Sequence, residues 1–304
     1  MRYLDKARLF KSNASKIYEF SKVLAKLNDH DIYPIVLKGA YLCEKIYGDL
    51  GARPFSDVDI LVKRDGFRGV EKVLLDAGYA YTVPGRVGFS LKYGSQVSFS
   101  KDDAAIDVHW DIVDLCRFNR VTSIEIGEFW DRSRIVDMFG GKVAELEPED
   151  LVLYLLLHLS LQHSFQLDAP YKDIRYTLAA LGPGLRWDEI IDRAQRYRVT
   201  RPAYLGLFLS RKFEHADIPE SVLSALRPRT MGPLDRSICN LLSAGERFDG
   251  IDCLILPFML DTWRQRIRFT FDRPGGSVGY LFHSAALIMK GIKKFPRLLK
   301  YLTF

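Results

Sequence analysis

The sequence predicts an α+β fold: strands interleaved with helices over residues 1–140, then an all-helical domain over residues 141–304. Three observations lead there. Val58, Ile60 and Val62 alternate with polar neighbours, and so do Ile106, Val108 and Trp110, which is the period of a half-buried strand. Ile17, Phe20, Val23, Leu24 and Leu27 recur instead at helical spacing. Beyond Gly140-Gly141 the strand pattern stops, and helical patterns follow one another with Pro and Gly between them.

The elements follow in order. A helix over 14–29 ends at Asp29-His-Asp-Ile-Tyr-Pro34, and Tyr33 to Leu37 reads as the first strand. A helix from about Ala40 to Tyr47 gives way to the turn residues Gly48-Asp-Leu-Gly51. Val58 to Val62 is a strand, and residues 65–78 form a helix closed by Gly78. Tyr79 to Val83, Phe89 to Tyr93 and Gln96 to Ser100 read as short strands, with Gly85 and Gly88 marking a turn. Ala105 to Trp110 is a strand with Asp107, His109 and Asp111 on its polar face. Glu147-Pro-Glu-Asp150 starts a helix with acids in its first turn, and Leu151 to His163 is strongly apolar. Helices are then expected at about 171–181, 187–198, 201–213 and 219–226.

The 304 residues, 48% of them hydrophobic, suffice for one large core or two modest ones. A net charge of +6 suits anionic partners such as nucleotides or nucleic acid. The four cysteines are scattered, with neither a C-x-x-C pair nor zinc-site spacing, and read as reduced thiols. The N-terminus lacks the apolar core of a secretory signal, and Leu151 to Leu161 is about half a membrane span. These features predict a soluble cytoplasmic protein.

The chemistry centres on two stretches, Val36-Leu-Lys-Gly-Ala40 and Arg53-Pro-Phe-Ser-Asp-Val-Asp-Ile-Leu-Val62. Asp57 and Asp59 leave one face of a strand while Val58, Ile60 and Val62 leave the other. Two carboxylates in a half-buried strand repel each other unless something positive neutralises them. A divalent cation does so, and hard oxygen ligands suit magnesium. Gly39 lets backbone N–H groups approach a phosphate closely, and a helix beginning near Ala40 would aim its N-terminus at the same place.

These stretches resemble the nucleotidyltransferase superfamily related to DNA polymerase beta. They are most similar to the bacterial group of uncharacterised nucleotidyltransferases, which carry Leu-Lys-Gly and Arg-Pro-x-x-Asp-x-Asp-Leu-Leu-Val. The likeness spans roughly residues 30 to 112, with a weaker echo to about 180. It implies a nucleotidyltransferase-type mixed sheet flanked by helices, followed by an all-helical domain. It also implies a third acid on a later strand, here Asp107, with Asp111 on the same face as the substitute. Asp57, Asp59 and Asp107 would then hold two magnesium ions, with manganese as an alternative, about 3.5–4 Å apart.

Lys38, Gly39, Ala40, Arg53 and Ser56 are the candidate phosphate contacts. Ala40 stands where the wider superfamily often has Ser, so a hydroxyl contact is missing there. Lys38 and Arg53 would otherwise form salt bridges to Asp57 or Asp59, and Ser56 would cap a turn. His109 shares the face of Asp107 and either lines the acceptor side or is a buried, satisfied histidine. His158 and His163 lie five apart, not at the four-residue spacing of a shared ligand face, and read as a structural pair against Asp173. Lys172 and Asp173 are the alternative contacts to nucleotide or acceptor.

The expected activity is metal-dependent transfer of a nucleoside monophosphate from a nucleoside triphosphate to a hydroxyl acceptor, with release of pyrophosphate. The acceptor is a small molecule or RNA. The competing reading is a non-catalytic nucleotide-sensing or partner-binding module on the same fold. The tail, Val278 to Phe304, carries interleaved Lys and Arg that either touch an anionic surface or stay exposed on a docked helix.

Overall fold

The computed structural model describes residues 3–113, 116–228, 231–245 and 252–271. The basic tail from Val278 to Phe304 lies outside the described residues.

The chain opens with helix α1, Tyr3–Asn28, then strand β1, Ile35–Leu37, and helix α2, Lys38–Tyr41, which continues as a π-helical turn over Leu42–Tyr47. Strand β2, Val58–Leu61, leads to α3, Phe67–Asp76, then β3, Ala80–Tyr81, and α4, Val87–Tyr93. Strands β4, Gln96–Lys101, and β5, Ala104–His109, precede two short helices, α5, Cys116–Asn119, and α6, Ile126–Asp131. A hairpin of β6, Arg134–Met138, and β7, Gly141–Glu145, completes the strands. Helices follow: α7, Pro148–Leu157, with a π turn over His158–Gln162; α8, Ala169–Leu181; α9, Trp187–Arg196; and α10, Thr200–Glu214. The last are α11, Glu220–Leu226, α12, Pro233–Ser243, α13, Asp252–Phe258, and α14, Trp263–Phe271.

The chain divides into two compact units, one of Met1–Asp114 with Ile126–Glu147 and the other of Leu115–Glu125 with Pro148–Phe304. The first is built on a seven-stranded mixed sheet in the order β3-β4-β5-β2-β1-β7-β6. β2 runs parallel to β5 and antiparallel to β1, and β1 runs parallel to β7. The apolar residues alternating with the acids are buried as their period requires: Val58, Ile60, Val62, Ile106 and Val108 are all 3% exposed or less. Phe20, Val23, Leu24 and Leu27 of α1 are also buried, and α1 packs on β5 and β7.

Two segments differ from the sequence expectation. Residues 87–93 form helix α4, not a strand. None of its residues is buried, so no sheet face selects the alternating conformation. The Phe89 and Tyr93 rings meet one helical turn apart, with centroids 5.1 Å apart, and the Gly94 N–H donates to the Ser90 carbonyl at 2.8 Å. The β6–β7 hairpin was not legible as strands. Its turn is Phe139-Gly140, with φ of +56° and +77°, a left-handed pair that twists the hairpin correctly. The sheet therefore continues past Gly140.

The second unit is helical. α7 is buried on every side from Glu149 to Leu157 and packs on α8, α9 and α10. Its buried acids are matched by arginines: Arg193 Nη1 donates to Asp150 at 2.8 Å, and Arg186 Nη2 to Glu149 at 2.9 Å. Asp261 accepts from the backbone N–H of Thr200 and Arg201 at 2.9 and 2.7 Å and so caps α10. Among the described residues no helix is long and apolar enough to cross a membrane.

Candidate active site on the second and fifth strands

Strand pairing assembles the site. Asp59 on β2 is directly opposite Asp107 on the parallel strand β5, and opposite Leu37 on β1. Asp107 is in turn opposite Ser98 on β4, and His109 opposite Gln96. Paired residues share a face, so Asp59, Asp107, His109 and Gln96 project from the same side of the sheet. Asp57 lies just before β2 and two residues from Asp59, on that face as well.

Asp59 is 4% exposed, a costly place for a carboxylate. Its Oδ1 accepts from Lys38 Nζ at 2.8 Å and pairs with His109 Nε2 at 2.9 Å. Burial pushes the Asp59 pKa up, but the His109 hydrogen bond and the Lys38 charge outweigh it and hold the carboxyl well below the usual range. Asp57 goes the other way. Burial and the charges of Asp59 and Asp107 push it up, against the pull of Lys38 and a hydrogen bond with Ser56. Asp107 is half-buried, and Gln96 Nε2 approaches its Oδ2 at 3.5 Å.

The phosphate candidates surround the start of α2. Lys38 stands at φ +48°, a left-handed conformation that turns the chain from β1 into the helix. A Cβ on Gly39 would lie 2.5 Å from the Phe55 Cβ and 2.9 Å from Arg53 Nη1, so only glycine fits there. That close approach sets the Arg53 guanidinium against the helix start, where its Nη1 also donates to the Pro54 carbonyl at 3.1 Å. Ala40 is fully buried, and Ser56 is exposed.

Asn13 was missed in the sequence. Its side chain is fully buried, and Nδ2 donates to the carbonyls of Leu50 and Arg53 at 2.7 and 2.8 Å. It thereby ties the Arg53 loop to α1. The available signal was an amide within an otherwise apolar helix face.

The other candidates make contacts of their own. Asp111 follows β5, and its Oδ1 accepts from the Ile112 N–H at 2.8 Å, as a turn residue does. Lys172 and Asp173 belong to α8 of the helical unit, the first exposed and the second 1% exposed. His158 and His163 do share a face. The π turn between them brings their Nε2 atoms to 3.0 Å, with the rings edge to face. Gln162 also bonds His158 Nδ1. A wider turn suits five-residue spacing where an α-helix suits four.

Asp59, Asp107 and His109 each offer one ligand atom, and the three atoms lie within 4.8 Å of one another. Two carboxylates and an imidazole are a donor set that fits a divalent cation.

No curated protein matches the chain. Among solved structures it is similar to a solution structure of the antibiotic-resistance factor ANT(2'')-Ia, at 13% identity and a TM-score of 0.42, over 67% of this chain and 98% of that one. It is similar also to ANT(2'')-Ia crystallised in complex with adenylyl-2''-tobramycin, again at 13% identity and a TM-score of 0.42, over 60% and 97% of the two chains. The sequence profile described as "Uncharacterised nucleotidyltransferase" matches residues 4–214, which takes in the whole sheet and the candidate site. The chain therefore belongs to this nucleotidyltransferase family and is a transferase enzyme.

Proposed function

We propose that the protein transfers a nucleoside monophosphate from a nucleoside triphosphate to a hydroxyl acceptor and releases pyrophosphate. The observation that carries this reading is the pairing of Asp59 with Asp107 on parallel strands, beside the Lys38-Gly39 helix start. Asp57, Asp59 and Asp107 are the carboxylates that would hold magnesium or manganese. When bound, such cations neutralise the polyphosphate and lower the pKa of the acceptor hydroxyl.

The chain's own residues do the positioning. Lys38 and Arg53 offer cations to the phosphates, and the close packing at Gly39 sets the Arg53 guanidinium beside the start of α2. Ser56 offers a hydroxyl at the edge of the same site. His109 and Lys38 together keep Asp59 ionised despite its burial, so a carboxylate is ready for a cation at neutral pH. The rate enhancement then rests on placement and charge neutralisation. Lys172 and Asp173 are kept as candidates for acceptor contact, and the acceptor is a small molecule or RNA.

The test is incubation with magnesium, each α-labelled nucleoside triphosphate and a cell extract, followed by isolation of whatever molecule gains label. Wild-type protein should transfer label, while Asp59→Asn and Asp107→Asn should not. Equal labelling by wild type and both variants would refute the assignment.

A further inference from the structure

We propose that His109 is itself a ligand of the catalytic cation, giving a site of one imidazole and two carboxylates that prefers manganese to magnesium. The inference rests on the nucleotidyl-transfer reading and specifies the metal that the site takes.

The argument starts from the fold. His109 follows Asp107 by two residues on β5, so both side chains leave the same face. β2 and β5 are parallel in a register that sets Leu61, not Asp59, opposite His109. The imidazole therefore reaches diagonally across the strands to Asp59, and its Nε2 arrives 2.9 Å from Oδ1. Donor atoms that share one ion at about 2.1 Å each stand about 3 Å apart when they meet it at right angles. The observed pair already has that separation, at 2.9 Å.

The surroundings favour ligation over a purely structural histidine. The ring is 2% exposed and stands on a strand paired on both sides. Asp59 Oδ1 is met by two positive or proton-bearing groups at once, Lys38 Nζ and His109 Nε2. Both supply to that oxygen the positive partner that a divalent ion would also supply. Asp59, Asp107 and His109 each present one ligand atom on this face, and the three atoms lie within 4.8 Å of one another. Asp57 lies outside the compact three-atom group and is kept for the second cation of the transfer reading.

The chemical consequence is selectivity. Magnesium demands hard oxygen ligands and dehydrates reluctantly, whereas first-row transition ions accept imidazole nitrogen readily. A histidine among the ligands shifts preference away from magnesium. It also requires Nε2 to be free of its proton when the ion binds.

Manganese titrated into the unmodified protein, followed by electron-spin-echo spectroscopy, reads this directly. The expected result is a nitrogen coupling characteristic of directly bound imidazole, lost in His109→Gln while manganese still binds. The Mn2+/Mg2+ affinity ratio should fall about tenfold in that variant, because only the imidazole-tolerant ion loses a ligand. Manganese binding without nitrogen coupling in the wild type would overturn the proposal and leave the transfer reading standing. So would an equal loss of both ions in His109→Gln, the behaviour of a residue that only orients Asp59. Absence of any manganese binding to the wild type would overturn the proposal, and absence of magnesium binding as well would overturn the transfer reading too.

Discussion

The side chains of Lys38 and His109 converge on a single oxygen, Oδ1 of Asp59, at 2.8 and 2.9 Å. One residue enters from the start of a helix and the other from a neighbouring strand, so the carboxylate is held from two directions.

This arrangement makes Asp59→Asn a sharp test. The amide keeps the shape but not the charge, and the preorganised electrostatics of the site are lost. Transfer of labelled nucleotide should drop by about 10²–10³-fold or more. Far-UV circular dichroism should stay close to wild type, because the β2 ladder is unchanged. Activity within a few-fold of wild type would count against a catalytic role for Asp59.

Gly39→Ala should destabilise the first unit. The added methyl carbon would sit 2.5 Å from the Phe55 Cβ, and the backbone there has little room to yield. An overpacking cost of about 1–3 kcal/mol is expected. A urea titration should show an earlier midpoint with an unchanged slope, and an unchanged midpoint would contradict the close approach of Phe55 to Gly39.

Asn13→Leu should loosen the Arg53 loop. The substitution removes the donor to two backbone carbonyls in a buried position. The cost of leaving such acceptors unsatisfied is about 1–3 kcal/mol. Amide hydrogen exchange over residues 49–55 should accelerate relative to the rest of the sheet.

Glu145 supplies a pH test away from the site. It is buried, which raises its pKa, but Arg134, Tyr41 and Lys45 outweigh this and hold it below 4.5. A depressed folded-state pKa contributes stability that is complete above the unfolded value and is lost as pH falls through the folded one. The stability gap between wild type and Glu145→Gln should therefore be full at neutral pH. It should shrink once the pH drops below 4.5. A gap that widened with acid would contradict the assigned contacts.

The site was legible wherever a local period decided it. Asp57 and Asp59 two residues apart, and Asp107 in an alternating strand, needed only the pleat of a strand to share a face. The register between β2 and β5 is a tertiary fact, and so is the reach of His109 to Asp59. Residues 89–93 misled because Phe89, Leu91 and Tyr93 alternate like a strand, while an exposed segment answers to its local contacts. The β6–β7 hairpin was hidden by Phe139, a bulky residue in a left-handed turn position where Asn or Gly is the usual signal. The five-residue gap between His158 and His163 was judged by the wrong pitch, since nothing in Leu-Ser-Leu-Gln announces a wider turn.

That wider turn makes chain length there a structural parameter in its own right. An α-helix advances about 100° per residue, so excising a single position from the His158–Gln162 coil would restore ordinary winding. The two imidazoles would then be pulled out of alignment, and everything downstream would start from a rotated origin. Homologous chains that are one residue shorter at this point would have to carry a different partner for His158, or none at all.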